Sequence, residues 1–152
     1  MGCDIHCYRE KLIDGAWVSQ QPMEPGEVWN DETREYEDGP LVAVKTYVPR
    51  NYGLFGLLSK GVRTKWDESF EAKGVPDDMS ATLQAQDVSW KDDGHSHSWL
   101  TLEEIKTKQL ILMVSSDVDA HDAGQALASF VKTIFDPSDD PATTRVVFWF
   151  DN

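Results

Sequence analysis

Hydrophobic and polar residues alternate from the start of the chain. Cys3, Ile5 and Cys7 fall on one face of a strand, and Asp4, His6 and Tyr8 on the other. Asp14-Gly15 separates Lys11-Leu12-Ile13 from Ala16-Trp17-Val18, a strong hairpin signal. Residues 21–40 lose the alternation. They are rich in Pro, Gly and acids, with Trp29 and Tyr36 as isolated apolar points, and read as a long surface loop. Residues 41–48 read as a short strand stopped by Pro49. Asn51 is placed to cap a helix running through Ser59, with Leu54, Leu57 and Leu58 on one face and Gly61 as its C-cap. Residues 61–78 are irregular, and a short helix is predicted over 79–87.

The second half is more periodic. Thr101-Leu102-Glu103-Glu104 is a capping box, so a helix starts at Thr101, with Leu102, Ile105 and Leu112 in period. The run from Leu110 to Val114 fits a strand as well. Residues 119–135 carry the clearest stripe, Ala123, Leu127, Phe130, Val131 and Ile134, ended by Asp136-Pro137. Thr144 to Phe150 is β-branched and aromatic, a terminal strand. Strands at both ends with helices between predict one compact α+β domain over residues 1–152. Its sheet would be mainly antiparallel, with the N-terminal hairpin and the C-terminal strand in it, and three to four helices.

Composition narrows the function. The chain has 27 acidic and 14 basic residues, a net charge of −13. Such a surface repels phosphate backbones and anionic membranes, so neither duplex nucleic acid nor a membrane is an expected partner. Small ligands, metals and host proteins remain. Cys3 and Cys7 would lie about 13 Å apart on a strand, too far for a disulfide. Asp4, His6, Arg9 and Glu10 would break any secretory leader. The expected setting is a reducing cytoplasm. No phosphate-binding glycine loop and no Gly-X-Ser-X-Gly elbow occurs.

The candidate chemistry sits in histidines and acids. Two of four histidines, His95 and His97, lie in Asp92-Asp93-Gly94-His95-Ser96-His97-Ser98-Trp99. On an extended strand His95, His97 and Trp99 would face one way and Ser96 and Ser98 the other. Neutral imidazoles so spaced suit zinc or manganese, with His6 as a third ligand. Asp4 and His6, about 7 Å apart on one strand face, suit two ligands or a carboxylate that orients an imidazole. Asp78 is either a further carboxylate or a helix cap. Arg50 is either a clamp for a phosphate or carboxylate, or the partner of an acid, and Arg63 is equally open. Asn51, Tyr52 and Trp99 are candidate ligand contacts.

The start Met-Gly-Cys-Asp-Ile-His resembles that of an uncharacterised family of small proteins from tailed-phage and prophage genomes. So do Arg50-Asn51-Tyr52-Gly53-Leu54-Phe55-Gly56-Leu57-Leu58, Gly74-Val75-Pro76-Asp77-Asp78, His95-Ser96-His97-Ser98-Trp99-Leu100-Thr101, and the ending from Arg145 to Asp151. The resemblance spans most of the chain and implies action in the cytoplasm of a bacterial host. Two functions compete. One is a metal-assisted hydrolase of a nucleotide or other phosphoester, with His6, His95 and His97 on the metal and Asp4, Asp78 and Arg50 in catalysis. The other is a non-catalytic module that sequesters a small ligand or blocks a host defence protein. An acidic interaction protein that meets a basic partner is a third.

Overall fold

The computed structural model describes residues 2–152; Met1 of the N-terminal motif and the side chain of Lys91 lie outside the described residues. The sheet grows from the hairpin of β1 (Asp4–Ile13) and β2 (Ala16–Ser19), turned by Asp14 and Gly15, both at positive φ. The C-terminal strand β6 (Thr144–Asp151) pairs antiparallel with β1, Ile5 opposite Phe150 and Cys7 opposite Phe148. On its other edge β6 takes β5 (His95–Thr101), so the order is β2-β1-β6-β5. The chain is therefore α+β, with both ends meeting in one antiparallel sheet as the alternation predicts.

Each sheet face has its own cover. Cys3, Ile5, Cys7, Leu100, Val146, Phe148 and Phe150 form the apolar face. They pack on α1 (Tyr52–Leu58), α3 (Leu102–Met113) and α4 (Val118–Ile134), which supply Phe55, Leu58, Ile105, Leu127 and Phe130. Both cysteines are buried free thiols. The opposite face mixes aromatic and charged groups and is covered by α2 (Ala81–Trp90), with Leu83 at its centre. Every residue of β6 from Thr144 to Phe150 is buried, because both faces of this central strand are covered.

The helices follow their local signals. Asn51 Oδ1 accepts the Leu54 N–H at 3.0 Å to start α1. The capping box at Thr101 is formed reciprocally with Glu104. The run from Leu110 stays helical to Met113 rather than becoming a strand. α1 ends at Ser59, not at Gly61; Gly61 takes positive φ two residues later, in the loop. α2 is shifted late, because the Ser80 N–H is held by Glu10 Oε2 at 2.9 Å.

The largest departure is at residues 21–40. They form no loop but a two-stranded ribbon, β3 (Met23–Asn30) and β4 (Glu35–Ala43). Trp29 and Tyr36 are its cross-strand pair, edge to face at 5.1 Å. Asn30 Oδ1 accepts the Glu32 and Thr33 N–H groups and shapes the turn. A bulge between Pro25 and Glu27 absorbs the proline and glycine. Both ribbon faces are largely exposed, so no alternation betrays the strands. The strand expected over 41–48 ends at Ala43, leaving one bridge from Thr46 to Cys7.

Gly56 ties α1 to the loop that follows. A Cβ there would overlap the Thr64 carbonyl, so glycine alone lets the two backbones touch. Gly56→Ala is expected to lower unfolding free energy by about 1–3 kcal/mol or more, measured by urea unfolding. Wild-type stability in that variant would show that the contact at Gly56 does not hold the loop.

Candidate functional site

The polar face of β1 carries Asp4, His6, Tyr8 and Glu10 in succession, and the register sets what each one meets. Glu10 lies opposite Arg145. Both are fully buried, and Arg145 Nε and Nη2 sit 2.9 and 2.8 Å from Glu10 Oε1. Arg145 also donates to Asp78 at 2.9 Å and lies 4.0 Å over the Trp17 ring and 5.3 Å over the Trp99 ring. The Arg145 hydrogen bond holds the Asp78 carboxyl below its usual range. Asp78 and Trp99 thus belong to the environment of this buried guanidinium, about 20 Å along β6 from Asp151.

His6 is 2% exposed. Its Nδ1 lies 3.2 Å from Lys45 Nζ and its Nε2 3.0 Å from Asp151 Oδ2. An ammonium only donates, so Nδ1 accepts and Nε2–H donates to Asp151: the ring is neutral and its tautomer set. Trp90 packs on it at 4.1 Å. Burial pushes the imidazole below its ordinary value, against the opposing pull of Asp151. Lys45 directly follows the ribbon, so this neutral imidazole joins the ribbon's base to the end of the sheet.

The three histidines do not share a face, which corrects the strand reading of His95 and His97. His95 pairs with Phe150 and Ser98 with Phe148, so three steps of β5 span two of β6. The extra residue is absorbed at Ser96, whose φ is 53. His97 therefore stacks on Trp149 at 5.6 Å and meets Asp87 at 2.9 Å on the polar face. His95 stacks on Phe150 at 6.1 Å on the opposite face. Trp99 does share the His97 face, beneath Lys73 Nζ at 3.8 Å.

Among the described residues no group of three or more His, Cys, Asp or Glu side chains is placed to hold a metal ion. A zinc or manganese site on His6, His95 and His97 does not fit this geometry. Both His6 nitrogens are engaged, one of them by a cation, and His95 is on the wrong side of the sheet. The Arg50 fork grips Asp4 at 2.7 and 2.8 Å, and a Cβ at position 2 would overlap that guanidinium. Asn51 is the α1 cap, and the Tyr52 ring lies 5.4 Å from the Arg63 guanidinium carbon.

What remains is a cleft of about 480 Å³ at the end of the sheet, lined by Gly61, Val62, Arg63, His95, Ser96 and Asn152. Among the described residues four non-glycines have positive φ: Asp14, Arg34, Arg63 and Ser96. The first two turn the hairpins. The other two both line this cleft, and neither Arg nor Ser favours that backbone. Arg63 Nη2 donates to the Gly2 carbonyl at 3.1 Å and to Asn152 Oδ1 at 3.0 Å. Ser96 Oγ is 3.1 Å from His95 Nδ1. The His95 Nε2 atom is buried with no hydrogen-bond partner.

The histidine count points to His95, but no sequence motif marks Ser96 or Asn152. Strict alternation puts Ser96 on the face opposite His95 and His97, because nothing local marks the bulge. Lys45, Asp151 and the Glu10–Arg145 pair depend on strand register, which no single segment states.

No protein-family model matches the chain, and neither a curated protein nor a solved structure matches it. Among the described residues no helix is long and apolar enough to cross a membrane.

The His6 environment sets a pH dependence. An unfolded histidine titrates near about 6.5, and the folded His6 below it. Between those two values the unfolded chain binds more protons, so this residue makes stability rise with pH and lose ground as pH falls. Urea unfolding of wild type and His6→Gln at pH 5 and 7 checks this. The wild type is expected to lose more stability on acidification than the variant. Equal losses would show that His6 is not held neutral.

Proposed function

We propose that this chain is a small hydrolase acting on a phosphoester, nucleotide esters included, at the cleft between Arg63 and Ser96. The observation that carries this reading is the backbone. Two non-glycine residues held in the left-handed region at a cost of about 1–3 kcal/mol each line the same cleft, and such conformations cluster where function demands them. The Arg63 guanidinium lines the cleft, and its planar fork of donors suits a phosphoryl oxygen. The Tyr52 ring below it restricts where it swings. His95 supplies an imidazole for proton transfer. The resemblance of its motifs to those of phage proteins favours action in the cytoplasm of an infected bacterium.

This reading keeps the hydrolase but gives it no metal, because the three histidines form no common ligand set. The competing reading is a module that holds the same ligand without turnover. One assay separates them. Release of p-nitrophenolate from bis(p-nitrophenyl) phosphate is expected in the presence of EDTA. Arg63→Ala should reduce kcat/KM at least about tenfold, since a charge-assisted contact contributes about 1.5–3 kcal/mol. Release only after zinc or manganese is added would overturn the metal-free reading. Saturable binding of the diester without release would leave the binding module.

A further inference from the structure

We propose that Ser96 is a nucleophile and His95 its general base, attacking the phosphorus of a phosphodiester to give a phosphoryl-serine intermediate. This deepens the hydrolytic reading and rests on it. Three observations converge on the pair.

Distance comes first. Ser96 Oγ and His95 Nδ1 are 3.1 Å apart, within the reach that a nucleophile and its base require. Backbone comes second. The bulge forces position 96 to φ 53, a conformation that glycine adopts without penalty, yet the chain carries serine there. A sharp turn of this sort lifts a hydroxyl out of the sheet, as the strained elbow of other serine enzymes does. The neighbouring hydroxyl offers a contrast. Ser98, on regular strand, is fully buried and accepts the Lys73 N–H at 3.0 Å.

The third observation is the imidazole. The His95 ring lies against Phe150, with centroids 6.1 Å apart and planes 27° from parallel. For Nδ1 to accept the serine proton, Nε2 must carry the ring's hydrogen. That nitrogen is buried without a partner, so no carboxylate stands behind the base. The arrangement is a dyad, and the charge that balances a transient imidazolium would be the phosphoryl group itself.

The step balances. Ser96 Oγ bonds to phosphorus while the bond to one ester oxygen breaks. The hydroxyl proton passes to His95 Nδ1 and from there to the departing oxygen, which leaves as an alcohol. Water then attacks phosphorus, gives a proton to Nδ1, and Ser96 departs and is reprotonated. The product is a phosphate monoester. Arg63 lines the same cleft and faces the charge that builds on the non-bridging oxygens.

Diisopropyl fluorophosphate reacts with a nucleophilic serine at phosphorus and serves as the probe. The intact protein is expected to gain one diisopropylphosphoryl group, mapped to Ser96 by peptide mass spectrometry. Ser96→Ala should show none. Ser96→Gly, which suits the left-handed backbone, should also show none and guards against a folding artefact. His95→Gln should slow labelling by about a hundredfold, the scale of general-base catalysis. A His95-dependent adduct on Ser96 supports the inference whatever the rate on a given diester. No adduct, an adduct elsewhere, or labelling of His95→Gln at the wild-type rate overturns it. If Ser96→Ala still hydrolyses bis(p-nitrophenyl) phosphate at the wild-type rate, the nucleophile is wrong and the hydrolase reading stands. If wild type neither labels nor hydrolyses, both fall.

Discussion

One extra residue in β5 decides how the candidate site of this protein is built. Opposite the two-residue step from Phe150 to Phe148, β5 uses three, from His95 to Ser98. Side chains on a strand alternate, so one inserted residue reverses the face of everything before it. Without the bulge His95 would join His97 on the polar face, and Ser96 would point to the apolar one. With it, His95 leans on Phe150 beside the end of the sheet, and Ser96 turns into the cleft with Arg63. The backbone bears this as positive φ at Ser96, and the loop that Gly56 holds against α1 bears a second instance at Arg63.

The bulge has consequences only because β6 cannot move. Strand β6 is buried on both faces, and its polar side is locked to β1 by the Glu10–Arg145 pair. Breaking one partner of a buried ion pair costs about 3–5 kcal/mol, because the other is left charged in the interior. A one-residue slip of β1 would also carry Cys3, Ile5 and Cys7 out of the apolar core. Arg145 and Asp151 therefore occupy determined places at opposite ends of β6. The His6 bridge to Asp151 and Lys45 then fixes the ribbon to that end of the sheet.

Where burial is one-sided, the sequence is legible. The alternation of residues 3–10, the stripe from Ala123 to Ile134 and the capping box at Thr101 each reflect a local pattern facing a single core, and the structure follows them. Local patterns fail where both faces meet the same environment. The ribbon of residues 23–43 is exposed on both sides, so its strands looked like a loop. The site is legible in part for a similar reason. Composition points to His6, His95 and His97, and the bulge then sends His95 to the face opposite His97. Asp78 and Trp99 instead surround Arg145. A bulge is a relation between two strands distant in the chain, so no reading of β5 alone separates His95 from His97.

If Ser96 is the nucleophile, serine is kept at position 96 for its hydroxyl, against the preference of the backbone. Thermal or urea unfolding of Ser96→Gly measures this directly. Relief of left-handed strain is worth about 1–2 kcal/mol and the added flexibility of glycine costs about 0.5–1 kcal/mol. The variant is expected to be more stable than wild type, by up to about 1.5 kcal/mol, while losing phosphoester hydrolysis. A variant less stable than wild type would contradict the account, because Ser96 would then be serving the fold rather than the site.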